Sequence, residues 1–166
     1  MSVPLEVEAL TSQAFRPFGD VIMTEGADER VINQGTTTRF HDLANIDVGN
    51  EDGAPLISIF RAVARPRPLQ IAMLERHPLG SQAFFPLSHE DWIVVVAEGG
   101  DRPELETLRC FRARGDQGVN YRACVWHHPL VVLAPCQDFI VVDRGGKGDN
   151  LEECPFSPAD VRTIDV

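Results

Sequence analysis

Two short segments gather the side chains best suited to moving protons. In LERHP (74–78), Glu75 and His77 stand two residues apart. Residues two apart on a strand face the same side, so this carboxylate and imidazole can share a proton. Spacing alone slightly favours a rim pair at a strand end, where an exposed ion pair stabilises little. In WHHP (126–129), His127 and His128 are adjacent. Strand neighbours point to opposite faces, so one is expected to line an interior and the other to face away. Three of the five histidines fall in these two segments. His41 and His89, in RFHDL and SHED, read as surface residues. Arginines interrupt otherwise apolar stretches at Arg39, Arg61, Arg76 and Arg122. Arginine is rarely buried without a partner. That partner is either a small carboxylate held bidentately or an internal Asp or Glu.

The elements that must position these groups are strands. Helical periodicity is nearly absent. Short β-prone runs separated by Gly and Pro occupy 20–23, 37–43, 55–63, 68–77, 82–87, 92–98, 104–113, 118–121, 130–134 and 138–143. About ten strands at this rhythm predict an all-β sandwich or barrel. One or two short helices are expected. Thr11 can cap a turn over 12–15, and Ser157, followed by Pro158, can cap a helix running to about Thr163. The stretch Gly145–Gly146–Lys147–Gly148 lacks phosphate-loop spacing and reads as a surface loop or lid.

The 166 residues suit one domain spanning 1–166, and 43% apolar content is enough for a hydrophobic core. Fifteen Lys and Arg against twenty-five Asp and Glu give a net charge of −10. That balance argues against nucleic acid or anionic membranes as partners, though a few converging arginines can still hold an anionic small molecule. The start, MSVPLEVEAL, has no basic segment followed by an apolar one, so no secretory signal is expected. The longest apolar run, 92–97, is far short of a membrane span. Cys110, Cys124, Cys136 and Cys154 form no CxxC pair and read as free thiols of a cytoplasmic protein.

Several motifs in order, FRPFGDVI (15–22), INQGTTTRFHDLA (32–44), ISIFRA (57–62), LERHPLGSQAFFPL (74–87), GVNYRACVWHHPL (118–130) and DFIVVDRGG (138–146), closely resemble the ureidoglycolate lyase family of allantoin degradation. The resemblance runs nearly end to end. It implies a cupin-type double-stranded β-helix (a jelly-roll barrel), a bacterial cytosolic homodimer, and cleavage of (S)-ureidoglycolate to glyoxylate and urea. It places Glu75, His77, Gln82, Phe84, Tyr121, Trp126, His127 and His128 around the barrel site. Cys124 departs from the family's usual residue, which is Gly or another non-Cys residue. The resemblance also suggests a divalent metal, with nickel as the candidate. The three-His, one-Glu cage of many cupins is not visible in this chain, so the ligands would be a non-standard set such as Glu75, His77 and His127, donors that suit Ni²⁺ or Zn²⁺.

Ureidoglycolate carries a hydroxyl, a carboxylate and a urea nitrogen on one carbon. Its elimination requires a base for the hydroxyl, an acid for the departing nitrogen and a clamp for the carboxylate. His77 or His127 is the expected base, with Glu75 orienting it or sharing its proton. The remaining imidazole or Tyr121 is the expected acid. Arg61 or Arg39, helped by Asn33 or Gln82, is the expected clamp. The alternatives are an amidohydrolase releasing ammonia from the same substrate, a metal-dependent cupin dioxygenase or isomerase, and a cupin that binds a small acid without turnover.

Overall fold

The run Trp92–Ala97 is apolar at every position because both of its faces are buried. In the computed structural model, which describes residues 3–166, this strand lies in the middle layer of three. In chain order the elements are β1 (Val3–Pro4), β2 (Val7–Ala9), the one-turn helix α1 (Ser12–Phe15), β3 (Gly19–Ile22), β4 (Asp28–Ile32), β5 (Thr37–His41), β6 (Ala54–Val63), β7 (Leu69–Ile71), β8 (Met73–Arg76) and β9 (Gln82–Pro86). They continue with β10 (Trp92–Ala97), β11 (Arg109–Ala113), β12 (Gly118–Tyr121), β13 (Trp126–His127), β14 (Val131–Val132), β15 (Cys136–Gly145), β16 (Glu152–Pro155) and β17 (Arg162–Ile164).

The central sheet runs β16-β8-β13-β10-β11-β2, with β14 also on β10. Trp92, Val94 and Val96 of β10 point to one side. There they pack with Phe111, Phe84, Val119, Tyr121, Phe139 and Val141, most of which come from a second sheet, β3-β12-β9-β15-β6. Ile93, Val95 and Ala97 point to the other side and pack with Leu69, Ile71, Cys110, Trp126 and Ile164, beneath the small sheet β1-β17-β7. Each fully buried Val or Ile contributes roughly 1.5–3 kcal/mol. The chain is thus all-β, as expected, with its main core between the two larger sheets.

Thr11 caps α1 as anticipated, its hydroxyl oxygen accepting from Ala14 N–H at 3.1 Å. The C-terminal helix does not form. Pro158–Asp160 is a turn, closed by the Ser157 hydroxyl on Asp160 at 2.7 Å. The chain then extends as β17 and buries Ile164 against β7, a tertiary gain that a short isolated helix cannot match. The run 68–77 divides at Ala72, with β7 joining the small sheet and β8 the central one. The run 104–113 opens with a 3₁₀ turn at Leu105–Thr107 before β11. The four cysteines are free.

Candidate active site

β8 and β13 pair antiparallel with Glu75 directly opposite His127. Opposed Cβ atoms in such a pair lie about 4.5–5.5 Å apart, close enough for the side-chain ends to meet. Glu75 Oε1 is 3.6 Å from His127 Nε2 and 3.9 Å from His77 Nε2. The two imidazole rings are 5.2 Å apart. His77 lies just beyond the end of β8, and the N–H of Cys124 holds its carbonyl at 3.0 Å. Cys124 itself has φ +67°, the left-handed region most readily entered by glycine.

Backbone carbonyls fix the tautomers of three rings. Nδ1 of His77 meets Asn150 O at 2.7 Å, Nδ1 of His127 meets Val125 O at 2.9 Å, and Nδ1 of His128 meets Pro129 O at 2.7 Å. A carbonyl can only accept, so each Nδ1 carries a hydrogen, and in the neutral ring Nε2 is the nitrogen with the lone pair. Nε2 of His77 and of His127 are buried with no hydrogen-bond partner. The ligand atoms of Glu75, His77 and His127 lie within 4.8 Å of one another. Two orphaned imidazole lone pairs and one carboxylate, each imidazole oriented by a backbone carbonyl, fit a divalent metal ion.

Burial dominates the electrostatics. It raises the Glu75 carboxyl above its ordinary range; Glu153 adds to this, while His77 and Arg65 oppose it. It pushes His127 down to about 3, helped by the neighbouring His77. His128 is pushed down to about 4 by burial, with Arg65 contributing. Tyr121 is raised well above a free phenol by burial and by the Glu75 charge, so its hydroxyl stays protonated. The Tyr121 ring stacks on His127 at 4.1 Å and 11°.

A cavity of about 630 Å³ opens beside the cluster, lined by Glu75, Gln82, Phe84, Tyr121, His127 and His128 together with the end of β6 and the segment after it. Both adjacent histidines line this cavity, whereas strand alternation predicts one. β13 ends at His127, so the alternation does not extend to His128. Gln82 is buried, and its amide N–H reaches Asp143 at 3.2 Å.

Four of the anticipated binding residues lie elsewhere or are engaged elsewhere. Trp126 points to the opposite side of the central sheet, donating Nε1–H to Gly100 O at 2.9 Å beneath the Arg76 guanidinium. Asn33 and Arg39 are exposed on the β4–β5 hairpin, which pairs with no other described strand. Asn33 bonds there to the Thr37 hydroxyl. Arg61 lies at the cavity edge, but its guanidinium is held by Asp138 through bonds of 2.8 and 2.9 Å and is 72% exposed. Arg76 and Arg122 have internal partners, Glu152 and the carbonyls of Arg16 and Pro17. Sequence reasoning missed the orienting carbonyls of Asn150 and Val125, because a main-chain acceptor leaves no residue-type signal. It also assigned no role to Arg65 and Phe60, which line the cavity.

The sequence comparisons agree on one family. A family model described as ureidoglycolate lyase matches residues 2–162. A protein named ureidoglycolate lyase from Burkholderia mallei (strain NCTC 10229) is 58% identical over 149 residues, covering 90% of this chain and 87% of its own. Another of that name from Pseudomonas syringae pv. syringae (strain B728a) is 51% identical over 161 residues, covering 97% and 95%. Among solved structures, a dTDP sugar isomerase from Desulfovibrio desulfuricans G20 aligns over 81% of this chain and 87% of its own, with a TM-score of 0.44 and 16% identity.

Proposed function

The chain belongs to the ureidoglycolate lyase family, and from that premise we propose that it cleaves ureidoglycolate to glyoxylate and urea at the Glu75–His77–His127 cluster. The observation that carries the site assignment is the convergence of two imidazole lone pairs and one carboxylate oxygen beside the cavity.

The reaction breaks the carbon–nitrogen bond while the hydroxyl oxygen becomes the aldehyde oxygen of glyoxylate. The hydroxyl gives up its proton, its electrons close the C=O bond, and the departing urea nitrogen gains a proton. Nε2 of His77 or His127 accepts the hydroxyl proton. Glu75, its carboxyl raised by burial, is the group on which that proton rests. Tyr121, which keeps its proton at neutral pH, donates to the nitrogen. Phe84 stands edge-on to Tyr121 at 6.0 Å and supports the ring. Each positioned acid or base is worth about 10²–10⁴ in rate.

The same three residues would hold a divalent ion such as Ni²⁺ or Zn²⁺. Such an ion, when bound, supplies Lewis acidity toward the hydroxyl oxygen. Nε2 of His128 is then the imidazole lone pair left for the hydroxyl proton.

The test is His77→Ala and His127→Ala, each checked for native folding and assayed for urea release. Loss of turnover by about 10² or more in both is expected. Near-normal rates in both would sink the assignment, and ammonia in place of urea would make the enzyme an amidohydrolase.

A cytoplasmic homodimer completes the reading. Four free thiols support the compartment, and among the described residues no helix is long and apolar enough to cross a membrane. The exposed apolar edge strand β6 supports the dimer.

A further inference from the structure

The cavity beside the cluster holds a cation that the fold does not use. Two arginines line it, Arg61 and Arg65, both at its solvent-exposed side. Arg61 gives its Nε and Nη2 hydrogens to the two oxygens of Asp138, its cross-strand neighbour on β15. A guanidinium engaged bidentately by one carboxylate must break that pair before it takes another. Among the described residues, Arg65 has no carboxylate or carbonyl partner of this kind. Its charge nonetheless acts on both Glu75 and His128, on the wall of the same cavity. The backbone around it is held. Ala64 N–H donates to Pro135 O at 3.0 Å on one side, and Pro66 follows on the other, restricting the conformation of the residue before it.

We propose that Arg65 is the residue that binds the substrate carboxylate, and so sets which end of the substrate meets Glu75, His77 and His127. The identity of the anion rests on the lyase reading above; the role of Arg65 as the anion-binding group of this cavity does not. A chain of net charge −10 repels a small anion at long range. A cation with its hydrogens free at the cavity offsets that repulsion where it matters. Guanidinium matches a carboxylate with two parallel hydrogen bonds, which fixes orientation as well as position. Arg39, the other expected clamp, lies on the outlying β4–β5 hairpin.

The experiment compares wild type, Arg65→Gln, Arg65→Lys and Arg61→Gln, with steady-state kinetics on ureidoglycolate and competitive inhibition by two probes. Glyoxylate carries the carboxylate. N-(hydroxymethyl)urea is ureidoglycolate with the carboxylate removed. Arg65→Gln is expected to raise KM and the glyoxylate inhibition constant by about 10- to 100-fold, the value of a charge-assisted hydrogen-bond pair. It is expected to leave inhibition by N-(hydroxymethyl)urea unchanged, and Arg65→Lys to recover part of the loss. Equal weakening of both probes would mean a general collapse of the cavity and would overturn the proposal. So would an unchanged Arg65→Gln, or a KM effect that moves to Arg61→Gln. Failure of wild type to release urea would defeat the lyase reading instead, while the glyoxylate measurement, repeated as direct binding, would still test Arg65.

Discussion

At the scale of single residues, the chemistry depends on which nitrogen of each imidazole carries its hydrogen. Three main-chain carbonyls make that choice, leaving Nε2 of His77 and His127 bare in a buried site. In the proposed reaction Tyr121 is the complementary donor. Its ring lies flat on His127, so Tyr121→Phe keeps the packing and removes only the hydroxyl. This variant is expected to fold with the wild-type melting temperature and to lose about 10²–10⁴ in kcat, read from urea release under saturating substrate. Wild-type kcat would remove Tyr121 from the proton path. Much of this site was legible beforehand. Glu75 and His77 two apart, and His127 in WHHP, required only the period of a strand. The carboxylate clamp was not legible, because Arg61 meets Asp138 only through the β6–β15 register, a pairing 77 residues apart in sequence. Trp126 could have been set aside, since its neighbour His127 occupies the cavity side and strand alternation sends it to the other face.

At the scale of elements, β8 and β13 matter most to the site, yet together they span only six residues. Such short strands hold position because β10 and β16 flank them in the central sheet. β10 was the plainest element in the sequence, an unbroken apolar run, and its burial on both faces explains the lack of alternation. β1, β2, β4, β16 and β17 were not anticipated. Each has five residues or fewer and is strand because a neighbour pairs with it. Ile93 on β10 packs away from the cavity in the second core cluster. Ile93→Ala is therefore expected to cost about 2–5 kcal/mol in urea denaturation. KM at low temperature should stay unchanged, because the lesion lies on the far side of the sheet from the substrate. A shifted KM with intact stability would contradict this layering.

At the scale of the whole molecule, acid stability reports the buried histidines. Burial lowers His127 to about 3 and His128 to about 4 in the folded chain, against about 6.5 when unfolded. The unfolded state thus binds their protons first. Their contribution is fully present above pH 6.5 and is lost as pH falls through 6.5 toward 4. Glu75 acts in the opposite sense, because its raised carboxyl favours the folded state as it protonates. Two histidines outweigh one carboxyl, so melting temperature, measured by calorimetry with chelator present, is expected to fall steadily between pH 6.5 and 4.5. A flat profile over that range would place both rings in contact with water.

The largest unmet demand of the fold is the edge of its second sheet. β6 is ten residues long, pairs among the described residues only with β15, and leaves Ile57 77% and Ile59 57% exposed. Ile140 and Phe85, cross-strand neighbours of Ile59 and of each other, extend the same apolar face across β15 and β9. Long apolar edges invite further strands, and soluble proteins usually blunt them with charge, proline or a covering element. Here Pro55 is the one proline and Arg61, already paired, the one charge on the strand. A second copy laid on this outer face about a two-fold axis would bury it on both chains at once and cover the β6 edge. Light scattering of the purified protein is accordingly expected to give twice the chain mass. Ile57→Lys combined with Ile59→Lys should shift it to the monomer while leaving the far-UV spectrum intact. A wild-type protein that stays monomeric at micromolar concentration would show that this edge tolerates water, and the dimer would have to be abandoned.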